Sequence, residues 1–76
     1  MRNENHAYWR GLTLAEKAEL VSDIVNEAEG VALYFRKKYH ETKCACRAKF
    51  LSRCREAAAE YGIKKNEFAK FAGFNI

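Results

Sequence analysis

The chain has 76 residues, 49% of them hydrophobic and 32% charged, which predicts one small soluble domain and leaves no room for a second. Its net charge of +4 and pI of about 9.1 favour contact with polyanions. The longest apolar run, Val31 to Phe35, is too short to span a bilayer, and the first residues lack the apolar core of a secretory signal. We therefore expect a cytoplasmic protein whose three cysteines are free thiols.

The near absence of helix-breaking residues predicts the fold class. The sequence contains no proline and only four glycines, so long helices are expected and a sheet is not. We expect a single all-α domain over residues 1–76. Its N-terminal segment, residues 1–12, forms a helical turn or two between Asn3 and Arg10, is stopped by Gly11, and is held to the core by Tyr8 and Trp9.

A long helix is predicted over residues 13–40. Thr13 followed by Glu16 is the capping-box pattern of a helix start. Behind it, apolar residues alternate in steps of four and three, which is the pattern of a helix that packs nearly parallel to another helix. They are Leu14, Ala18, Val21, Val25, Ala28, Ala32, Phe35 and Tyr39. Gly30 interrupts this run as a kink, as a close helix crossing or as a tolerated glycine.

A second helix is predicted over residues 43–61. The apolar stripe becomes polar after Tyr39 and resumes in a new phase at Phe50, so we expect a turn between His40 and Lys43. Thr42 caps the second helix, and Gly62 ends it in a left-handed conformation. A short C-terminal helix follows over residues 65–73, with Phe68 and Phe71 directed inward. The expected architecture is a long helical hairpin plus this short helix, and because two helices cannot cover so wide a stripe, we expect a homodimer.

Charge is distributed unevenly between the two long helices. Residues 12–30 hold five acids and one base, Lys17, whereas residues 36–55 hold eight bases. This asymmetry indicates either a nucleic-acid-binding face or two helices whose charges attract each other.

The residue types that bind zinc are present but poorly spaced. Around one helix, Cys44, Cys46 and Cys54 fall at about 40°, 240° and 320° from His40, and paired C-x2-C knuckles are absent. The chain also lacks a glycine-rich phosphate loop and a nucleophile elbow. We expect no metal site, no cofactor, no small-molecule substrate and no enzymatic activity.

Residues 54–73 combine a small residue, Ala58, a turn glycine, Gly62, and apolar residues at Ile63, Phe68 and Phe71. This spacing resembles the helix-turn-helix motif of DNA-binding proteins, in which the corresponding positions are a small residue, a glycine and buried residues. The resemblance implies that Lys64, Lys65, Asn66 and Lys70 face the DNA groove. The alternative is that Gly62 simply ends one helix and the phenylalanines of the next form a lid on the core.

Two functions follow, and the sequence leaves both open. The first is a DNA-binding transcriptional regulator, in which further phosphate contacts come from Lys43, Arg47, Lys49 and Arg53. The second is a helical protein-binding adaptor or inhibitor of the phage or mobile-element type, such as an antirepressor or anti-defence factor. Its interface residues would be the aromatic and apolar side chains near the two termini: Tyr8, Trp9, Phe68, Phe71, Phe74 and Ile76.

Overall fold

The computed structural model describes residues 4–76, and over that range the chain is all-helical with no strand. It contains α1 (Glu4–Arg10), α2 (Leu14–Tyr39), α3 (Lys43–Tyr61) and α4 (Lys65–Ala72). The predicted all-α class is therefore confirmed. Residues 1–3, the start of the predicted N-terminal segment, lie outside the described residues.

The ends of α2 are set by local backbone chemistry. The hydroxyl oxygen of Thr13 accepts the Glu16 backbone N–H at 3.2 Å, and the Glu16 carboxylate accepts the Thr13 N–H at 2.9 Å. The predicted capping box is thus confirmed. The helix ends at His40, whose φ of 54° is left-handed. Histidine is one of the few side chains found there besides glycine, and the sequence pattern did not single it out for this role.

The hydrophobic core lies where the first two-thirds of α2 packs against the C-terminal half of α3. Val21, Ile24 and Ala28 of α2 are buried there against Cys54 and other small residues of α3. The predicted stripe is wrong at its ends, because Leu14 is 66% exposed and Tyr39 is 55% exposed. The reason is that the neighbouring helices cover only the middle of α2.

Gly30 lies within α2 and has open space beside it. A Cβ placed on Gly30 would meet no atom of the described residues within 4 Å, apart from its own helix backbone and chain neighbours. Of the alternatives for this glycine, the close helix crossing is therefore excluded.

Both terminal helices add to the core region. Trp9 of α1 is 2% exposed and meets the ring of Phe71 edge-on, with 6.0 Å between the ring centroids. After α4, Phe74 packs against the rings of Phe50 and Phe68 at 5.6 and 6.2 Å. In residues 31–49, the part of α2 and α3 on either side of the 40–42 turn, Cys46 is the one buried residue, at 9% exposed, and it does not belong to the core cluster. We call residues 31–49 the arm. The molecule is elongated, measuring 40 × 29 × 16 Å.

Candidate nucleic-acid interface

The turn between α3 and α4 depends on Gly62. Its φ of +71° is left-handed, and the N–H groups of Gly62 and Ile63 donate to the carbonyls of Ala59 and Ala58 at 3.2 and 2.8 Å. These bonds satisfy the last carbonyls of α3, as expected for a glycine at a helix C-terminus. A Cβ at Gly62 would lie only 2.8 Å from atoms of the His6 ring, so a larger residue here would also force that ring to shift.

Apolar side chains fix α4 to the rest of the molecule. Ala58, Ile63 and Phe68 are 3%, 6% and 0% exposed, and Phe71 is half-buried against the core. These are the positions at which the helix-turn-helix resemblance requires buried residues. The short helix rests mainly on α2, which supports it from the side opposite to solvent.

Most polar side chains of α4, together with Lys64 just before it, are exposed, whereas Glu67 is half-buried. Lys64, Lys65, Asn66 and Lys70 are all exposed. Asn66 and Lys70 are four residues apart and therefore lie on the same side of the helix. The side-chain carbonyl of Asn66 accepts the Glu67 N–H at 2.9 Å, which holds the Asn66 side chain near the start of α4. Its amide group is the type of donor that pairs with adenine in the major groove.

A groove between α1, α2 and α4 adds basic residues that the sequence alone did not place here. It has a volume of about 610 Å³, and its polar lining consists of three basic residues, one amide and one acid: Arg10, Lys17, Lys64, Asn66 and Glu67. The ammonium group of Lys17 lies 5.2 Å from the centroid of the Trp9 ring. Lys17 is the single basic residue in the acidic first half of α2. That unusual position was the only feature of the sequence that could have drawn attention to it as a functional residue.

The indole of Trp9 forms part of the same groove. Its Nε1 atom is buried and has no hydrogen-bond partner within the described residues. A buried donor without a partner costs free energy. Because its N–H group makes no stabilising hydrogen bond to residues 4–76, Trp9 is held in place by its contact with Phe71 and by the ammonium group of Lys17 near its ring.

The four α3 residues predicted to contact phosphates do not join this surface. Lys43 and Arg47 are exposed and Lys49 is half-buried. All three lie in the first seven residues of α3, whereas α4 follows the other end of that helix, which is about 27 Å from Lys43 and about 18 Å from Lys49 along the axis. The eight predicted DNA-binding residues are thus divided between two separate regions of the molecule.

The guanidinium group of Arg53 is paired with carboxylates and has a structural role. Its Nε donates to the Glu27 carboxylate at 3.2 Å, and the same guanidinium lies 3.8 Å from Glu56. The hydrogen bond and charge of Glu27 raise the pKa of Arg53 above its ordinary value. The pair joins α3 to α2, so for this residue the attraction between oppositely charged helices is the alternative that the structure supports.

The predicted protein-binding residues are largely inside the molecule. Trp9 and Phe68 are buried, so the expectation that they contact a partner is wrong. Phe71, Phe74 and Ile76 are half-buried against the core because the small helices need them for packing. Tyr8, which is 56% exposed, is the member of this set that remains on the surface.

The zinc-type residues are dispersed. Cys54 is fully buried and burial raises the pKa of its thiol, and Cys46 is buried eight residues earlier in the same helix, whereas Cys44 and His40 are exposed. Within residues 4–76, no group of three histidine, cysteine or carboxylate side chains is arranged to hold a metal ion.

No protein-family model, curated protein or solved structure matches this chain. None of the helices described in residues 4–76 combines the length and apolar character needed to cross a membrane. The functional assignment therefore depends on the chemistry of the surfaces described above.

Proposed function

We propose that this chain is a small regulatory protein that binds duplex DNA through α4 and the adjoining groove. The observation that supports it best is that the exposed side of α4 carries lysine and asparagine side chains while the fully buried Phe68 fixes the helix to the core. A rigidly mounted helix with exposed polar side chains is what recognition in the major groove requires. We expect the protein to act in the cytoplasm and to have no enzymatic activity of its own.

Different residues of this surface have different expected roles. Asn66 and Lys70, on one side of α4, contact base edges and select the sequence. Lys64 and Lys65, together with Arg10 and Lys17 beside the groove, contact phosphates and supply affinity for any duplex. In the helix-turn-helix motif the start of the second helix approaches the bases, and the resemblance therefore supports the role given to Asn66.

The proposal is tested by fluorescence anisotropy on labelled duplexes of about 20 base pairs, taken from a selection on random DNA. Asn66→Ala is expected to weaken the selected duplex by about 1–3 kcal/mol and a scrambled duplex hardly at all. Lys65→Gln is expected to weaken both equally and to lower the salt dependence. Asn26→Ala, at an exposed asparagine in the middle of α2, is the matched control and should change neither.

The result that would overturn the proposal is an absence of duplex binding at about 50 mM salt, where phosphate contacts are strongest. The remaining class would then be the protein-binding adaptor or inhibitor. Its contact surface would have to include exposed residues such as Tyr8 and Leu14 instead of the buried aromatic residues.

The proposal also includes a homodimer, formed by a surface that shares only Ala32 with the predicted stripe. Val21 and Ala28 of that stripe are buried within one chain. An open groove of about 300 Å³, largely within the arm, has apolar lining from Leu33, which is 51% exposed, and from Phe50, and charged lining from Glu29, Arg36 and Arg47. Apolar contact flanked by opposite charges is suited to a two-fold interface, in which each charge meets its opposite on the other copy. Light scattering should give twice the mass of one chain, and Leu33→Asp should give a single chain.

A further inference from the structure

The arm carries an aromatic cluster on the last turns of α2. Tyr34 is 52% exposed and Tyr39 is 55% exposed, and Phe35 is half-buried between them. The rings of Phe35 and Tyr39 are stacked, with centroids 5.5 Å apart and planes 26° apart. Tyr34 meets Phe35 edge-on at 5.6 Å. Phe35 therefore fixes two tyrosine rings that leave about half of their surface in solvent.

Lysine side chains surround these rings. The ammonium group of Lys38 lies 5.4 Å from the centroid of Tyr34 and 5.6 Å from that of Tyr39, and it donates a hydrogen bond to the Tyr34 hydroxyl at 2.9 Å. The ammonium of Lys49 lies 5.1 Å from the centroid of Phe35. It also forms an ion pair with Glu41 at 3.0 Å, so the negative charge of that carboxylate is balanced by Lys49.

The charge of this end of the molecule is strongly positive. Residues 34–49 contain six Lys and Arg residues and one acid, Glu41. Arg36, Lys37 and Lys43 are exposed. A surface of this charge repels basic partners and attracts polyanions.

We propose that the tip of the arm is a second binding site, specific for single-stranded nucleic acid. The exposed rings of Tyr34 and Tyr39 stack on unpaired bases, and the surrounding lysines and arginines contact the phosphates. Aromatic rings combined with a positive surface are how proteins hold single strands, because every base has a flat face for stacking. A duplex hides those faces within its own stack, so it does not engage the rings. The site is separate from α4 and does not depend on the proposed recognition of duplex DNA.

The stacking is tested with labelled oligouridylate and oligothymidylate of about 12 nucleotides, and with an abasic oligonucleotide of the same length. The double variant Tyr34→Ala and Tyr39→Ala is expected to bind both base-containing strands at least tenfold more weakly than the unaltered chain. Its binding to the abasic strand is expected to stay the same. Comparison of oligouridylate with oligodeoxyuridylate of the same length, which share the base and differ in the 2′-hydroxyl, shows whether the site prefers RNA or DNA.

Tyr8→Ala is the matched control, because Tyr8 is a tyrosine of similar exposure (56%) next to Glu16 and Glu19 at the other end of α2. It should leave single-strand affinity unchanged. Circular dichroism of every variant verifies that the helices remain. Tyr34→Phe keeps the ring without the hydroxyl and should retain most of the binding even if the alanine variants prove unstable.

Two outcomes would overturn this inference. One is that the double tyrosine variant binds single strands as tightly as Tyr8→Ala does, and the other is that the abasic strand binds as tightly as oligouridylate. Duplex binding measured on the same proteins keeps the two proposals distinguishable. Asn66→Ala should affect only the selected duplex, whereas the tyrosine variants should affect only single strands.

Discussion

Gly62 combines two constraints at one residue, a left-handed φ and the His6 ring 2.8 Å from where a Cβ would lie. Gly62→Ala is therefore expected to lower the free energy of unfolding by about 1–2 kcal/mol, from backbone strain alone, and by more if the His6 ring cannot move. Gly30→Ala is the matched control and should raise it by about 0.5–1 kcal/mol, because Gly30 is in a helix with open space beside it. Urea unfolding of the two variants measures both changes.

The steric contribution of the His6 ring to the cost of Gly62→Ala is measured by making the same substitution in a chain that lacks the ring. In a His6→Ala chain, Gly62→Ala should cost less, because the atoms that crowd the new Cβ are gone. An equal cost in both backgrounds would assign the whole effect to the backbone and contradict a steric role for His6.

At the scale of single residues, the sequence predicted contacts within one segment better than contacts between segments. Gly62 and the burial of Phe68 follow from spacings along the chain. The grouping of Arg10 and Lys17 with α4 does not, because three helices have to pack before those side chains share a groove. The pairing of Arg53 with Glu27 was not predicted for the same reason, since the two residues are 26 positions apart.

Among the elements, α2 has the most sharply defined start. Thr13→Ala removes the oxygen that caps the Glu16 N–H and is expected to cost about 1 kcal/mol of stability. Thermal unfolding followed by circular dichroism measures this loss. Ser22→Ala, at an exposed position inside the same helix, is the control and should change stability little.

The other half of the capping box makes the start of α2 sensitive to acid. Hydrogen bonds from the backbone and side chain of Thr13 lower the pKa of Glu16 below its ordinary value. A lowered pKa in the folded state means that the stabilisation is complete above roughly pH 4.3 and is lost as the pH falls. The difference in melting temperature between the unaltered chain and Glu16→Gln should therefore shrink in acid, and a constant difference would contradict the role of the charge.

Helix ends were predictable at this scale because caps act over three or four residues. Thr13, Thr42 and Gly62 all have the capping roles that the sequence predicted. The extent of the buried stripe was not predictable in the same way. Whether Leu14 or Tyr39 is covered depends on how far the neighbouring helices reach, which no periodicity within α2 records.

For the whole molecule, core and arm differ in what they contribute to stability. Phe68 is completely buried, so Phe68→Ala should cost about 3–5 kcal/mol, a large part of the roughly 4–11 kcal/mol expected for a chain of this length. Phe35→Ala, at a half-buried ring of the arm, should cost clearly less. Comparable losses in urea unfolding of the two variants would contradict this division.

The placement of the core cluster outside residues 31–49 also has a consequence for motion. Backbone amides in the arm should exchange their hydrogens for deuterium through local opening of low free energy, while those near Val21 and Ala28 should exchange only when the whole chain unfolds. Mass spectrometry of exchanged peptides would resolve the two rates. The two halves of α2 would then open on different timescales, with the boundary near Gly30. A single strand bound at Tyr34 and Tyr39 would slow hydrogen exchange in the second half of the helix alone.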